Sequence, residues 1–240
     1  MIVPVLNEAP HVERALASIR RQELEGALEV LVVDGGSTDG TRRIVERIRA
    51  EDDRVRLLDN PARATPDALN VGLRAARGTY VVRMDAHTSY PRDYIACGIE
   101  RLERGDVASV SGPQLAVADG PTGRAVALAL GSPLGVGGAR FRRRGAREED
   151  VDSGFCGVWR RDLLVALGGW DEGWPVNQDA ELAARIRARG GRIVCLPEMA
   201  AEYVPRSRLP ALARQYRRYG RYRAKTAGRH PSASLSLIHI

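Results

Sequence analysis

Two residue types that bind divalent cations, Asp85 and His87, stand two positions apart at the end of a predicted strand. The strand is the run of β-forming residues Tyr80-Val81-Val82-Arg83-Met84. Side chains of an extended chain alternate between two faces, so Asp85 and His87 point the same way. A carboxylate and an imidazole on one face suit a divalent cation. The competing interpretation is a turn-capping aspartate followed by a solvated histidine.

Alternating strands and helices are predicted around this segment. The strands are the apolar runs "IVPV", "LEVLVVD", "RVRLLD" and "TYVVRMD", followed later by "VASVSGPQL", "VDSGFCGVWRRD" and "RIVCLPE". The apolar spacing between them predicts amphipathic helices. Strands separated by such helices pair in parallel, with helices on both faces of the sheet. The predicted fold class is therefore α/β with a mostly parallel central sheet.

Polar residues follow three of these strands. Asn7 and Glu8 come after the first strand, Asp34 ends the second, and Asp85 and His87 end the fourth. Sheets of this kind bind ligands outside the carboxyl ends of their strands. We therefore expect these side chains to meet in one crevice.

Composition limits the broad class of protein. The chain has 240 residues, 44% hydrophobic and 28% charged, which is typical of one large globular domain or of one domain with a tail. Three widely spaced cysteines argue against a disulfide framework and favour a reducing compartment. No signal peptide is evident, and no apolar run has the length of about 18 residues that spans a membrane.

The net charge of +7 comes from arginines gathered in residues 140–147 and 206–229. A basic balance suits nucleic acid, anionic lipid or phosphate-bearing ligands, and a solvated arginine-rich face is the simpler alternative. We find no nucleic-acid-binding motif and expect no nucleic-acid partner. We predict a catalytic domain over residues 1–205 and a basic, amphipathic helical tail over residues 206–240.

Five segments stand in the order and approximate spacing of a known family. They are "IVPVLNE", "EVLVVDGGSTDGT", "ALNVGLRAARGTYVVRMDAH", "GGWDE" and "NQDAELAARI". The chain resembles glycosyltransferase family 2 over roughly residues 1–225, and most closely its succinoglycan-type, exopolysaccharide-building glucosyltransferases. The resemblance implies a GT-A fold and transfer with inversion. That branch has Asp-Ala-His where most relatives have Asp-x-Asp.

The resemblance also implies a donor site. Pro4, Asn7, Glu8 and Asp34 fall on the segments that hold the nucleoside of a nucleotide sugar, here expected to be a UDP-sugar. Arg63 falls near the donor, where it either reaches phosphate or is solvated. Many relatives have a second aspartate where this chain has Gly35. The resemblance therefore leaves base specificity open, and a turn-forming role for Asp34 remains an alternative.

The Asp-x-Asp metal site of the family falls on Asp85 and His87, which implies Mn²⁺ or Mg²⁺ bridging the donor diphosphate. A metal there neutralises the leaving group. Since imidazole suits a borderline ion better than Mg²⁺, we hypothesise a preference for Mn²⁺. Equal activity with both ions at equal concentration would count against it.

The catalytic base of the family falls on Asp179, which follows Gln178 at the start of a predicted helix. The alternative is a helix-capping aspartate. The nearby Trp170 and Trp174 are predicted either to form an acceptor platform or to pack in the core. Asp171 is predicted to order this loop or to touch a sugar hydroxyl, and Gln178 is assigned to the acceptor side.

The basic tail includes Gln215, Arg218 and Tyr219, which loosely resemble the Gln-x-x-Arg-Trp motif of processive synthases. There the motif closes over donor and acceptor. The competing interpretation is an interfacial helix, because Arg and Tyr suit a lipid headgroup boundary. We expect a chain truncated before further hydrophobic segments, from an enzyme at the inner face of the cell membrane.

The sequence thus predicts a metal-dependent hexosyltransferase. It would move a hexose, with glucose as the first choice, from a UDP-sugar to a lipid-linked or polysaccharide acceptor in cell-surface glycan synthesis. One rival is a nucleotide-sugar-binding module without catalytic activity, for which His87 and Gln178 give some grounds. Another is a sugar-1-phosphate nucleotidylyltransferase, but "PVLNEAPHVERA" lacks the glycine-rich, basic loop that it needs.

Overall fold

The chain folds into a layered α/β structure. The computed structural model describes residues 1–132, 147–205 and 209–230, and residues 140–146 of the first arginine-rich segment lie outside them. The strands are β1 Ile2–Val5, β2 Val30–Asp34, β3 Val55–Asp59, β4 Tyr80–Val82, β5 Thr88–Ser89, β6 Ser109–Gly112, β7 Gln114–Ala116, β8 Glu149–Asp150, β9 Phe155–Arg160, β10 Ile193–Cys195 and β11 Ala201–Tyr203. The helices are α1 Val12–Arg20, α2 Thr41–Glu51, α3 Thr65–Ala75, α4 Tyr94–Glu103, α5 Gly120–Gly131, α6 Arg161–Ala166, α7 Gln178–Ala188 and α8 Leu209–Arg229.

Two sheets meet at the centre of the fold. The first is the parallel set β1-β2-β3, and the second has the order β4-β9-β6-β10-β8. A parallel bridge between Ile2 and Arg83 joins β1 to the end of β4. Strand β9 runs antiparallel to both neighbours and β8 runs antiparallel to β10, so this second sheet is mixed. Among the described residues, β6 and β10 are its one parallel pair. A small third sheet has the order β5-β11-β7.

Alternation along the strands divides the core into two halves. Val3 and Val32 face one side of the sheet, where helices α1, α2 and α4 pack. Ile2 and Leu31 face the other side, against α3, α6 and α7. Since both faces of these strands are buried, their sequences are almost continuously apolar. The carboxyl ends of β1, β2 and β3 therefore open at one edge between the two helical layers.

Three predicted elements differ from the structure. "VASVSGPQL" forms two strands in different sheets, because Pro113 lacks the N–H of a ladder and Gly112 lies against the backbone of Met199. Strand β4 stops at Val82, and Arg83 makes only the isolated bridge. The many Gly, Pro and Arg residues of segment 119–150 predict loops around short helical pieces, whereas Gly120–Gly131 form the single 12-residue helix α5.

Helix α8 packs back on the body of the protein. Leu212 and Tyr216 contact a small apolar cluster formed by Val126, Leu130 and Tyr203. Among the residues described, no helix is long and apolar enough to cross a membrane. The boundary at residue 205 stays a prediction.

Candidate active site

A cavity of about 160 Å³ opens at the carboxyl ends of the strands. Five of the predicted donor-site residues line it together: Pro4, Glu8, Arg63, Asp85 and His87. They come from the ends of β1 and β4 and from the loop after β3. The edge of the sheet thus brings together residues that are more than 80 positions apart in sequence, as the strand-end rule predicts.

The turn after β4 fixes the backbone of Asp85. Its N–H donates a hydrogen bond of 2.6 Å to the hydroxyl of Tyr90, and its carbonyl accepts the N–H of Thr88 at 3.2 Å. Tyr90 is buried, and its hydroxyl also lies 3.2 Å from the Cys156 sulfur. The carboxylate is therefore presented from a rigid turn.

Arg83 connects Asp85 to Asp179. Its Nε and Nη2 atoms donate to the two carboxylate oxygens of Asp85, at 2.9 and 3.1 Å. Its Nη1 atom donates to Oδ2 of Asp179 at 2.5 Å. The predicted metal ligand and the predicted base are thus held by one buried guanidinium, although they are 94 positions apart (179 minus 85). Sequence reasoning missed Arg83, but alternation places it on the same face as Asp85.

The two carboxylates respond differently to this environment. Burial favours the neutral form of both. For Asp85 the charges of Arg83 and His87 outweigh burial, so its pKa is lowered. For Asp179 burial is the larger effect, and Arg83 only partly offsets it, so its pKa lies above the ordinary 3.8. A raised pKa suits a carboxylate that accepts a proton.

The two oxygens of Asp179 have different surroundings. Oδ1 is buried and makes no hydrogen bond of normal geometry with the described residues, and the same is true of Nε1 of Trp170. The indole N–H is nevertheless close enough to Asp179 to lower its pKa slightly. The side chain is 21% exposed. Oδ1 is thus enclosed, while Oδ2 is the oxygen that accepts the hydrogen bond from Arg83.

His87 faces Glu8 across the cavity, with 3.3 Å between Nδ1 and Oε1. Burial lowers the pKa of His87, but its hydrogen bond to Glu8 and the charge of Asp85 outweigh burial, so its pKa is raised. Within the described residues, no group of three or more His, Cys, Asp or Glu side chains forms a complete metal site. The role of Asp85 and His87 as cation ligands stays a prediction, in which phosphate oxygens and waters would complete the coordination.

Asn7 and Asp34 do not line the cavity, and the structure shows them ordering loops. Asn7 has φ of 56°, and its side-chain oxygen accepts the N–H of Thr38 at 2.8 Å. Asp34 is buried, and its Oδ1 accepts both the N–H and the hydroxyl of Ser37, at 3.0 and 2.6 Å. Their predicted contacts with a nucleoside stay predictions.

Asn60 is a second cavity residue that sequence reasoning missed. It is 3% exposed, and its Nδ2 donates to the carbonyl of Ala64 at 2.9 Å. Its Oδ1 is buried with no partner among the described residues. A buried acceptor without a donor is costly, and this one belongs to a residue that lines the cavity. The strand-end rule applied to β3 would have identified it.

Both tryptophans are packed in the interior, which is the second of their two predicted roles. Trp170 is 1% exposed and packs edge-on against Trp159 in the core. Trp174 is 3% exposed and is covered by Lys225 and Arg229 of α8. Aromatic burial outweighs exposure here, so neither ring has a face open to a sugar. Asp171 orders the loop, as one of its two predicted roles required, by accepting the N–H of Gly173 at 2.8 Å.

The remaining predicted acceptor residues lie apart from the cavity wall. Gln178 is buried at the first position of α7. Gln215 and Tyr219 bond to each other on α8, with 2.9 Å from Nε2 to the hydroxyl oxygen. Arg218 is exposed on the same helix. Their roles toward an acceptor stay predictions.

A larger open cavity of about 630 Å³ lies beside the loop of residues 168–173. Arg74 and Arg161 line it together with Asp171 and Glu172. It includes none of the strand-end residues and neither Asp85 nor Asp179. We therefore place the chemistry at the smaller cavity. Asp85 and the unpaired oxygen of Asn60 belong to its wall, and Arg83 of the same wall is hydrogen-bonded to Asp179.

Known proteins resemble this chain in sequence and in structure. The family model for glycosyl transferase family 2 matches residues 1–168. The succinoglycan biosynthesis protein ExoA of Rhizobium meliloti (strain 1021) is 38% identical over 237 residues, which cover 96% of this chain and 70% of that protein.

Two solved structures show the same fold. Mannosyltransferase PcManGT from Pyrobaculum calidifontis, in complex with GDP-Man and Mn²⁺, matches with a TM-score of 0.72 and 26% identity, covering 95% of this chain and 62% of that one. S. aureus TarS 1-349, in complex with UDP-GlcNAc, matches with a TM-score of 0.66 and 19% identity, covering 85% and 58%. The chain thus spans less than two thirds of these solved proteins.

Proposed function

The chain belongs to glycosyl transferase family 2 and has a GT-A fold, and from this premise we propose that it is a metal-dependent, inverting hexosyltransferase. The donor is a UDP-sugar, with UDP-glucose as the first choice. The acceptor is a lipid-linked or polymeric glycan of an exopolysaccharide. The family membership gives no support to a sugar-1-phosphate nucleotidylyltransferase.

One observation carries the proposal. Arg83 holds Asp85, at the wall of the strand-end cavity, against Asp179 at the start of α7. This arrangement supports a donor-side role for Asp85 and a base role for Asp179. Both solved relatives were bound to a nucleotide sugar, one of them with Mn²⁺. Their bases differ, so the choice of uracil here rests on the sequence resemblance alone.

In the proposed reaction, Asp179 takes the proton from the acceptor hydroxyl as its oxygen attacks the anomeric carbon. Oδ2 is the oxygen that receives this proton, because Oδ1 is enclosed. The attack comes from the face opposite the diphosphate, so one displacement inverts the configuration. Asp85 and His87 would hold the cation, which neutralises the leaving diphosphate when it is bound. The product of an α-linked donor is a β-linkage.

The test is turnover with a panel of donors. UDP-glucose, UDP-galactose, UDP-GlcNAc and GDP-mannose are offered with Mn²⁺ and polyprenyl diphosphate sugar acceptors, and nucleotide release and product are measured. We expect transfer from a UDP-hexose, with a β-linkage by proton NMR. Nucleotide binding without transfer to any acceptor would favour the rival, a binding module without catalytic activity.

We propose that Asn60 selects the base. An unpaired carbonyl oxygen matches the ring N–H of uracil or guanine, whereas the corresponding ring nitrogen of cytosine is an acceptor. Gly35 stands where relatives have a second aspartate, and a side chain there would contact Leu6 and Arg63 at 3.4 Å. Asn60 therefore offers a polar contact that position 35 does not.

Replacing Asn60 by Ala should weaken UDP binding by about 10-fold, the effect of one lost hydrogen bond to a buried acceptor. CDP binding, measured by the same titration, should change much less. The ratio of UDP to CDP affinity should fall accordingly. Equal losses for both nucleotides would show that Asn60 only supports the loop through Ala64.

The raised pKa of Asp179 predicts the pH dependence of transfer. The base must be ionised, and a pKa above 3.8 keeps its inactive, protonated form present to higher pH. As pH is lowered, kcat/KM should therefore begin to fall at a pH above the ordinary aspartate range. A profile of kcat/KM from about pH 4 to about pH 8 measures this. A rate that stays constant down to about pH 4 would contradict the assignment.

We propose that the enzyme acts at the cytoplasmic face of the cell membrane. The exposed Arg214, Arg217, Arg218 and Arg221 of α8 suit an anionic lipid surface. A lipid-linked acceptor would be presented there. Sedimentation with vesicles containing anionic lipid tests this placement. Equal binding to anionic and to neutral vesicles would count against it.

A further inference from the structure

The C-terminal half of α8 docks on the loop that leads into α7. This loop comprises residues 171–177, and Asp179 follows it by two positions. Thr226 is completely buried there. Its hydroxyl oxygen accepts the indole N–H of Trp174 at 2.9 Å and donates to the carbonyl of Tyr222 at 2.9 Å. The indole of Trp174 therefore has a specific polar partner on α8.

Two cations of α8 cover the ring of Trp174. Lys225 Nζ lies 3.8 Å from the ring centroid and donates to the carbonyl of Gly173 at 3.0 Å. The Arg229 guanidinium carbon lies 4.8 Å from the same centroid, and its Nη1 donates to Asp171 at 2.9 Å. Each cation thus combines a cation–π contact with a hydrogen bond to the loop.

A second set of contacts holds the segment after Asp179. Glu181 is fully buried, and Arg185 pairs with it at 2.7 Å. Nε2 of His230 lies 3.4 Å from the other oxygen of Glu181. Arg185 also donates to the carbonyls of Leu167 and Gly169, at 2.7 and 2.9 Å. The backbone around Asp179 is therefore held on both sides.

We propose that Lys225, Thr226 and Arg229 are positioning residues for transfer, acting through Trp174 and the loop 171–177 on the carboxylate of Asp179. This inference rests on the proposed role of Asp179 as base. Asn177, just before α7, has φ of 65°, a conformation that external contacts must maintain. Without the contacts from α8, the loop opens more often and the base departs from its reacting geometry.

The test uses the full chain with Lys225→Ala, Thr226→Val and Arg229→Ala combined. The triple variant should lower kcat by about 10- to 100-fold, because small displacements of a catalytic group have effects of this size. The donor KM and the UDP dissociation constant should stay within about twofold, since Lys225, Thr226 and Arg229 do not line the donor cavity. Backbone hydrogen exchange should accelerate over residues 171–182 and stay unchanged over residues 80–90.

Arg43→Ala is the matched control, because Arg43 is an exposed arginine of helix α2 that lines neither cavity. It should change neither kcat nor exchange. Thr226→Val alone preserves volume and should give a smaller change in the same direction as the triple variant.

Unchanged hydrogen exchange over residues 171–182 in the triple variant would show that these α8 residues do not hold the loop, and would overturn the proposal. Faster exchange with unchanged kcat would overturn their positioning role, while leaving the proposed function intact. Equal losses in kcat and in donor binding would show general destabilisation instead of positioning. If the unmodified chain showed no transfer, the proposed function would fail first, and this role with it.

Discussion

Asp179→Asn is expected to lower kcat by about 10²- to 10⁴-fold while UDP binding stays within about twofold. Asparagine cannot take the proton of the acceptor hydroxyl, so the attacking oxygen loses its base. The side-chain oxygen of asparagine can still accept the hydrogen bond from Arg83 that Asp179 accepts now. The site should therefore keep its shape, and initial rates under saturating donor and acceptor measure the loss directly.

Asp162→Asn provides the matched control. Asp162 is an exposed aspartate in the first turn of α6, where its Oδ1 accepts the N–H of Leu163 at 2.7 Å. This substitution should leave kcat unchanged within about twofold, because the residue lines neither cavity. Comparable rates for Asp179→Asn and the unmodified chain would show that Asp179 only opens helix α7, which was the alternative interpretation from the sequence.

Arg83→Gln is expected to lower the free energy of unfolding by about 3–5 kcal/mol and to abolish measurable transfer. Arg83 is 6% exposed and is the shared partner of Asp85 and Asp179. Glutamine leaves two buried carboxylates without a cation between them. Chemical denaturation measures the stability. The midpoint and the slope of the transition are both recorded, because a changed slope would mean that the native or the denatured state had changed in compactness.

Two further variants identify the cause of that loss. Arg83→Lys keeps the charge but not the planar fork, so it should recover only part of the stability. Adding Asp179→Asn to Arg83→Gln removes one uncompensated charge and should also recover part of the stability. The two changes in the free energy of unfolding should therefore not add. Arg92→Ala breaks an exposed pair with Glu23 and should change little. Full additivity of the double variant would contradict the shared role of Arg83.

The strands, the helices and the meeting of their polar ends follow from local patterns. Apolar runs with flanking helical periodicity predict a buried, mostly parallel sheet, and that topology places Glu8, Asp85 and His87 at one edge. These predictions depend on period and order, which are written in the sequence. Glu8, Asp85 and His87 all line the cavity at that edge, in agreement with these predictions.

Tertiary contacts decide between the alternatives that the sequence leaves open. Trp170 and Trp174 lie in a glycine-rich loop whose pattern permits either an acceptor platform or core packing, and the core and α8 cover them. Nothing local to the loop shows that Thr226, 52 positions after Trp174, provides the hydrogen-bond partner. Whether these rings are buried or exposed depends on long-range packing, which cannot be read from the spacing of residues.

Arg83 and Asn60 were missed for a different reason. Arg83 lies within a predicted strand, and the sequence pattern around it gives no indication of a charged partner. Its pairing with Asp179 depends on where α7 lies relative to β4, which the pattern does not determine. Asn60 directly follows Asp59, the last residue of β3, so the strand-end rule would have found it.

Calorimetric titration of UDP, with and without Mn²⁺, tests the central claim most directly, and Asp85→Ala and a GDP titration complete the experiment. The account predicts UDP binding that requires Mn²⁺, disappears in Asp85→Ala and is tighter than GDP binding. Thermal unfolding of the same samples confirms that each is folded. A folded chain that binds no nucleotide in the presence of Mn²⁺, or whose binding is indifferent to Asp85, would contradict the donor site at the strand ends.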